Sequence, residues 1–326
     1  MLKHIIRMSA VAALLPASQV SAADTWPEPS KPIMLIVPAP GGSGTGDTIA
    51  RVLAQRLKKE LGTAVIVDNR GGANGNIGAG VAAASAPNGY TFLLSWAGTL
   101  AVNPSLYRSL PFNPQTSFEP VALIADVPNI LVVNSTLPVK SLQDFIAYAK
   151  SHKGELNYGS SGNGSSMHLA GELFDRETGV EMTHVPYSAP GTATTNLLAN
   201  DIQAMFQLVP GIVSQVKSNK VRALAIMSSR RSPALPEVPT TTELGFPSLL
   251  SSTWFAVLAP KGTPNDIVRK MNVAINNVVA DPETVKVFTE MGASPLGGTP
   301  ERLASVLSAD LLKWRAVVKR GNIQMQ

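Results

Sequence analysis

Two glycine- and serine-rich stretches stand immediately ahead of helical patterns, and the chemistry they offer is backbone N–H. The first runs Pro40, Gly41, Gly42, Ser43, Gly44, Thr45, Gly46 and ends on Asp47. The second is Ser160, Ser161, Gly162, Asn163, Gly164, Ser165 and Ser166, and a third, shorter one runs from Ser188 and Ala189 through Pro190 to Thr192. A helix start leaves its first amides unpaired and carries a partial positive charge, so such a stretch favours an anion. Phosphate fits poorly. No Lys follows the glycines as a P-loop requires, and Asp47 falls where a dinucleotide fingerprint needs a third small residue. A carboxylate fits better. Neither of the two long loops contains Lys or Arg, so backbone amides would have to read the charge. Taken alone, the first loop reads equally as a plain tight turn, and Ser165 or Ser166 as a simple N-cap. The recurrence of one device far apart in the chain favours binding. Asp47 would repel an anion and is expected to cap or brace its loop.

Enzymatic alternatives find less support. Ser161-Gly162-Asn163-Gly164-Ser165 comes near a nucleophile elbow but in the wrong order. Outside the N-terminal segment the histidines are His152, His168 and His184; the last two could act as bases, but no paired carboxylates or metal-ligand spacing accompany them. No cofactor motif stands out. The absence of Cys excludes disulfides, thiolate metal sites and cysteine nucleophiles.

The elements that would carry these loops follow from periodicity. An apolar run at 33–37 reads as a buried strand, and Ile49, Val52, Leu53, Leu57 and Leu61 recur at helical spacing up to Gly62. A strand at 64–67, a turn at 68–72, a small-residue helix at 79–86 and a strand at 90–95 complete a βαβαβ unit, the signature of an open α/β sheet. Ligands in such sheets sit at the carboxyl ends of the strands, which places 38–47, 72–76 and 95–99 on one rim, with Asn76, Ser95 and Trp96 among its candidates. Further on, strands are expected at 130–133, 156–160, 202–206, 221–227 and 254–258. Helices are expected at 141–151, after Ser166 with Glu172 and Arg176 as an i,i+4 pair, at 193–199, and over 264–280, 282–291 and 300–320. The proline-rich 233–239 looks like a crossing segment, and His184 to Tyr187 forms a third candidate rim.

Composition sets the frame. With 326 residues, 44% hydrophobic and 15% charged, the chain can bury two ordinary cores. Residues 1–23 read as a secretory signal: Lys3 and Arg7, a short apolar core, then small residues for cleavage after Ala22 or Ala23. Its loss takes the net charge from +5 to +3, too little and too scattered for nucleic acid. The mature protein is expected in a bacterial periplasm.

Several segments together resemble the Bug, or TctC-like, extracytoplasmic receptors of tripartite tricarboxylate transporters: VPAPGG, VIVDNRGGANGNIG, APNGYTFLLS, YGSSGNGSSMHLAGELF, HVPYSAPGTA, VRALAIMSSRRSPALPEVPTTTELGFP and LAPKGTP, along essentially the whole mature chain. The resemblance implies an α/β, two-lobed periplasmic binding protein of the Venus-flytrap, type II-like kind, each lobe a sheet flanked by helices. It implies a signal peptide over 1–23, a first lobe from 24–126 and 251–326, and a second from 127–250. It further implies a small mono-, di- or tricarboxylic or aromatic acid held between the lobes, delivery to large and small integral membrane components of a transporter, no cofactor, and a monomer. By position, residues 41–47 and 160–166 would hold the carboxylates, with His168 and Tyr187 close to the cleft in contacting or packing roles. Two departures stand out. Four residues, rather than two, separate the glycine pair from Asp47, and Trp96 is large where the family often has a small residue. Asn196 also stands where Asp is usual. The alternatives are a secreted hydrolase-like enzyme acting on a small carboxylic ester, a ligand-sensing receptor for a signalling system, and a scaffold without ligand.

Overall fold

The computed structural model describes residues 26–42 and 44–321; the expected leader at 1–23 and Ser43 lie outside them. In chain order the elements are β1 (Ile33–Val37), α1 (Gly44–Leu61), β2 (Val65–Asn69), α2 (Asn76–Ala83), β3 (Thr91–Trp96), α3 (Asn103–Leu106), β4 (Phe118–Asn134), α4 (Leu142–Ser151) and β5 (Asn157–Ser160). They continue with α5 (Ser166–Thr178), β6 (Thr183–Pro186), α6 (Pro190–Ala199), β7 (Ala204–Leu208), α7 (Val213–Lys217), β8 (Val221–Ile226), β9 (Ser252–Pro260), α8 (Asn265–Ala280), α9 (Pro282–Glu290), β10 (Ser294–Pro295) and α10 (Pro300–Gly321).

One strand organises them. The N-terminal stretch of β4, up to Pro128, pairs antiparallel with β9, and its last residues, from Asn129, pair with β7 and β8. The N-terminal stretch closes a sheet in the order β2-β1-β3-β9-β4. The last residues of the same strand open a sheet in the order β4-β7-β5-β6. The backbone returns beside it at Ser251, whose carbonyl accepts Asn129 N–H. The result is a two-lobed α/β architecture with helices on both faces of each sheet half. In the first lobe Ile33, Leu35 and Val37 pack with α1 and α8, while Ile36 packs on the opposite face with α2 and α10. That is why β1 reads as an unbroken apolar run rather than an alternation. Phe145, Phe174, Phe206 and Tyr158 fill one face of the second sheet, and Met205, Ile130 and Leu235 the other.

Several expectations are corrected. The strand at 130–133 is the end of the 17-residue β4, whose earlier stretch carries the apolar run Val121 to Ala125 between Pro120 and Asp126. The turn expected at 68–72 begins later, because Asp68 and Asn69 still pair with Ile36 and Val37. α2 starts at Asn76 rather than 79, capped by Gly75 at φ 91, a left-handed conformation that glycine adopts freely. The 233–239 segment does not cross between lobes: Ala234, Leu235 and Val238 are buried in the second lobe. Glu172 does not pair with Arg176. It turns inward to Tyr158 and His168, and Arg176 pairs with Glu177 instead.

Candidate functional site

The first loop shows how the chain absorbs its two extra residues. α1 begins at Gly44, so Gly44, Thr45, Gly46 and Asp47 form its first turn rather than a loop. Gly46 sits there because the Trp96 ring passes so close that a Cβ would lie 2.9 Å from Cζ3. The Asp47 carboxylate is buried and points back: it accepts Gly42 N–H at 3.0 Å, Asn69 Nδ2 at 2.9 Å and Arg51 Nε at 2.8 Å. Burial pushes this carboxyl up, but the hydrogen bonds from Arg51, Asn69 and Gly42 outweigh it and hold it below the usual carboxylate range. Asp47 is a brace, and it leaves the first-turn amides unblocked.

The second loop is held in the same manner from beneath. Ser165 caps α5 by accepting His168 N–H at 3.3 Å. Gly164 N–H is taken by His168 Nδ1, and Gly162 N–H by Ser160 Oγ. The first-turn amides of Ser166 and Met167 remain. The start of α6 completes the set, with Pro190 at its first position and its ring so close to Gly44 that a Cβ there would lie 2.8 Å away.

These three helix starts converge on a cavity of about 90 Å³ between the lobes. Pro40, Gly44, Thr45, Gly46, Trp96, Ser161, Ser165 and Ser166 line it, joined by Asn74, Met167, Ser188, Gln207, Leu208 and Phe255. Among the described residues that line it, none carries a charged side chain. Thr45 Oγ1 is buried there without a partner, which in a native site is a polar group awaiting one. The lobes touch around the cavity: Asn74 Nδ2 donates to Asn163 O at 3.3 Å across the gap.

Other candidates lie off the cavity wall. Gly41 packs on Asn69, and Gly42 serves the brace. Asn76 turns into its lobe to accept Asn103 Nδ2 at 2.6 Å, and Asn74 takes the rim in its place. Ser95 is fully buried within the sheet, since the alternation of β3 turns Trp96 and not Ser95 to the cleft. Ser160 and His168 sit beneath the loop, and Gly164 packs on Leu106 of the first lobe. Tyr187 packs against Gly159 and the second-lobe core, while Ala189 forms the backbone cap of α6 between Ser188 and Pro190. Asn196 bonds back to Thr192 O in its own helix. Gln207, Leu208 and Phe255 were missed: they come from β7 and β9 next to the crossing of β4, and nothing in their spacing announces a site. A larger hollow of about 1300 Å³ opens between α5, the 227–233 segment and α10. Its Arg176 and Arg231 are paired with Glu177 and Glu243, and none of the loop amides faces it.

A two-lobed α/β fold with an uncharged cavity between its lobes is the architecture of the periplasmic binding proteins. The chain belongs to the tripartite tricarboxylate transporter family receptors, whose family model matches residues 49–323. It is 40% identical over 311 residues to Protein BugT of Bordetella pertussis, covering 95% of this chain and 94% of that one. Among solved structures, "R. palustris Rpa4515 with adipate" is 36% identical with a TM-score of 0.88, covering 92% of this chain and 100% of that one. "MatC (Rpa3494) from Rhodopseudomonas palustris with bound malate" is 31% identical with a TM-score of 0.82, covering 89% and 99%. This is a family of substrate-binding receptors rather than of enzymes. Among the described residues no helix is long and apolar enough to cross a membrane.

The brace makes a stability prediction. Asp47→Ala should cost about 1.5–3 kcal/mol in urea unfolding at pH 7, the range for hydrogen bonds to a charged group. Because the folded-state pKa of Asp47 lies below its ordinary value, its contribution is present at neutral pH and is lost as pH falls through that lowered pKa. The gap between variant and wild type should therefore narrow in acid, and a gap that is constant down to about pH 3 would contradict the assignment.

Proposed function

We propose that this receptor captures a small carboxylate in the interlobe cavity and delivers it to a tripartite tricarboxylate-type membrane transporter. The observation that carries the reading is the convergence of the α1 and α5 starts on a cavity with no charged side chain among its described lining residues. An anion there is met by several unpaired amides, each charge-assisted hydrogen bond contributing roughly 1.5–3 kcal/mol, against about 0.3–1 kcal/mol for a helix dipole. The bound adipate and malate of the two structural relatives support the same class of ligand. A cavity of about 90 Å³ suits a compact acid.

The lobes are assigned to 24–126 with 251–326 and to 127–250. The pairing of β4 with β9 up to Pro128 and with β7 from Asn129 supports a boundary there. Delivery to a transporter rests on the family, and export through cleavage of residues 1–23 on the order of basic, apolar and small residues in that segment. The protein is taken to act as a monomer.

Two substitutions test the site. Ser165→Asp keeps an oxygen able to cap α5 but puts a negative charge on the cavity wall. It should fold normally and abolish binding of every free acid that stabilises the wild type in a thermal-shift panel; retained binding would remove the α5 start from the site. Trp96→Ala deletes a wall that stands against Gly46 and Phe255. It should weaken a compact aliphatic acid by about tenfold and reverse its ranking against a phenyl-substituted analogue, since each misfit methylene-sized group costs about 1–3 kcal/mol. An unchanged ranking in calorimetry would show that Trp96 does not set the ligand's size.

A further inference from the structure

Beneath the second loop lies a cluster of polar side chains, with Ser160, Tyr158 and His168 buried among them, none of which lines the cavity. Gly164 N–H donates to His168 Nδ1 at 3.1 Å. The His168 ring stacks on His184 at 4.0 Å between centroids, and His184 Nε2 lies 2.7 Å from Ser160 Oγ, which accepts Gly162 N–H at 3.1 Å. On the far side, Glu172 Oε1 accepts the Tyr158 hydroxyl at 2.8 Å and lies 3.6 Å from His168 Nε2. The two glycines that shape the loop, Gly162 at φ +113 and Gly164 at φ +78, are thus both tied from below by side chains. Gly164 cannot relax upward, because Leu106 of the first lobe already occupies the space a Cβ would need.

We propose that His168 is a positioning residue for the ligand: by accepting the Gly164 amide through Nδ1, it aims the free amides of Ser166 and Met167 into the cavity. This rests on the carboxylate reading of that cavity. Only an unprotonated Nδ1 accepts an N–H, so the ring carries its proton on Nε2, toward Glu172. A second proton would turn Nδ1 into a donor facing a donor. The loop would then have to move, and the carboxylate would lose its amides. The groups around the ring are Glu172 on its own helix, Tyr158 on β5 and His184 on β6. His184 stays neutral through the physiological range, because burial and the neighbouring His168 push it down to about 3.

Calorimetry of the full chain with one fixed free acid at neutral pH is the test. His168→Asn places Oδ1 where Nδ1 was, as an acceptor for the same amide, and should hold affinity within about threefold of wild type. His168→Leu should bind about tenfold more weakly, one lost bond's worth. A Leu variant that binds like wild type, or an Asn variant as weak as Leu, would each overturn the role. Imidazole ¹⁵N NMR of the ligand-free protein reads it independently of any ligand and of whether the Leu variant folds. It should find Nδ1 bare and Nε2 protonated, and the opposite tautomer overturns the proposal. The expected tautomer in a wild type that binds no carboxylate would instead overturn the ligand reading, and the positioning role with it.

Discussion

A backbone amide removed from water needs an acceptor, and much of this molecule is arranged so that a few amides lack one. Each cavity loop contains donors that are satisfied from within: Gly42 by Asp47, Gly162 by Ser160, Gly164 by His168. The donors left over, in the first turns of α1 and α5, face a space whose described lining residues carry no charge. An unmet donor in such a place costs about 1–3 kcal/mol. A carboxylate oxygen removes that cost several times over, whereas a cationic side chain would bind anions without regard to shape. The braces therefore matter as much as the open positions, since they decide which amides remain free.

The fold serves this arrangement by bringing two helix starts from different lobes to one point. β4 belongs to both lobes and fixes their junction at Pro128 and Asn129, close to Leu208 and Phe255 on the cavity wall. Side chains of one lobe fit directly against backbone of the other: Pro190 on Gly44, Leu106 on Gly164, Asn74 on Asn163. Glycine at the first two of those points is a consequence of lobe contact as well as of turn geometry. Lobe contact and loop shape are thus coupled, because Gly44 and Gly164 belong to both.

Much of this was legible in the sequence where the signal is local. Apolar periodicity revealed β1 and α1, proline and glycine punctuation revealed the last three helices, and a cap two residues beyond Asn163 marked α5. The two glycine loops were recognisable as helix starts with amides to spare, because amide supply depends on local backbone alone. What was hidden depends on partners distant in the chain. The N-terminal stretch of β4 has its apolar run Val121–Ala125 interrupted by Pro120, Asp126 and Pro128, and the partner that extends it as a strand is β9, more than a hundred positions later. Asn76 and Ser95 carried the right chemistry but point inward, with Asn74 two residues before the one and Trp96 next to the other taking the rim. Asp47 was rightly read as a brace from charge alone, but Asn69 as its partner needed the β1–β2 pairing, and the inward turn of Glu172 needed Tyr158 on a neighbouring strand.

The central claim is that the cavity reads charge through backbone amides. Titration calorimetry of the wild type with a carboxylic acid and with its primary amide, equal in shape but without the charge, addresses it most directly. The account predicts that the acid binds at least about a hundredfold more tightly, since two or more charge-assisted bonds at roughly 1.5–3 kcal/mol each are weakened together. Equal affinity for acid and amide would contradict it.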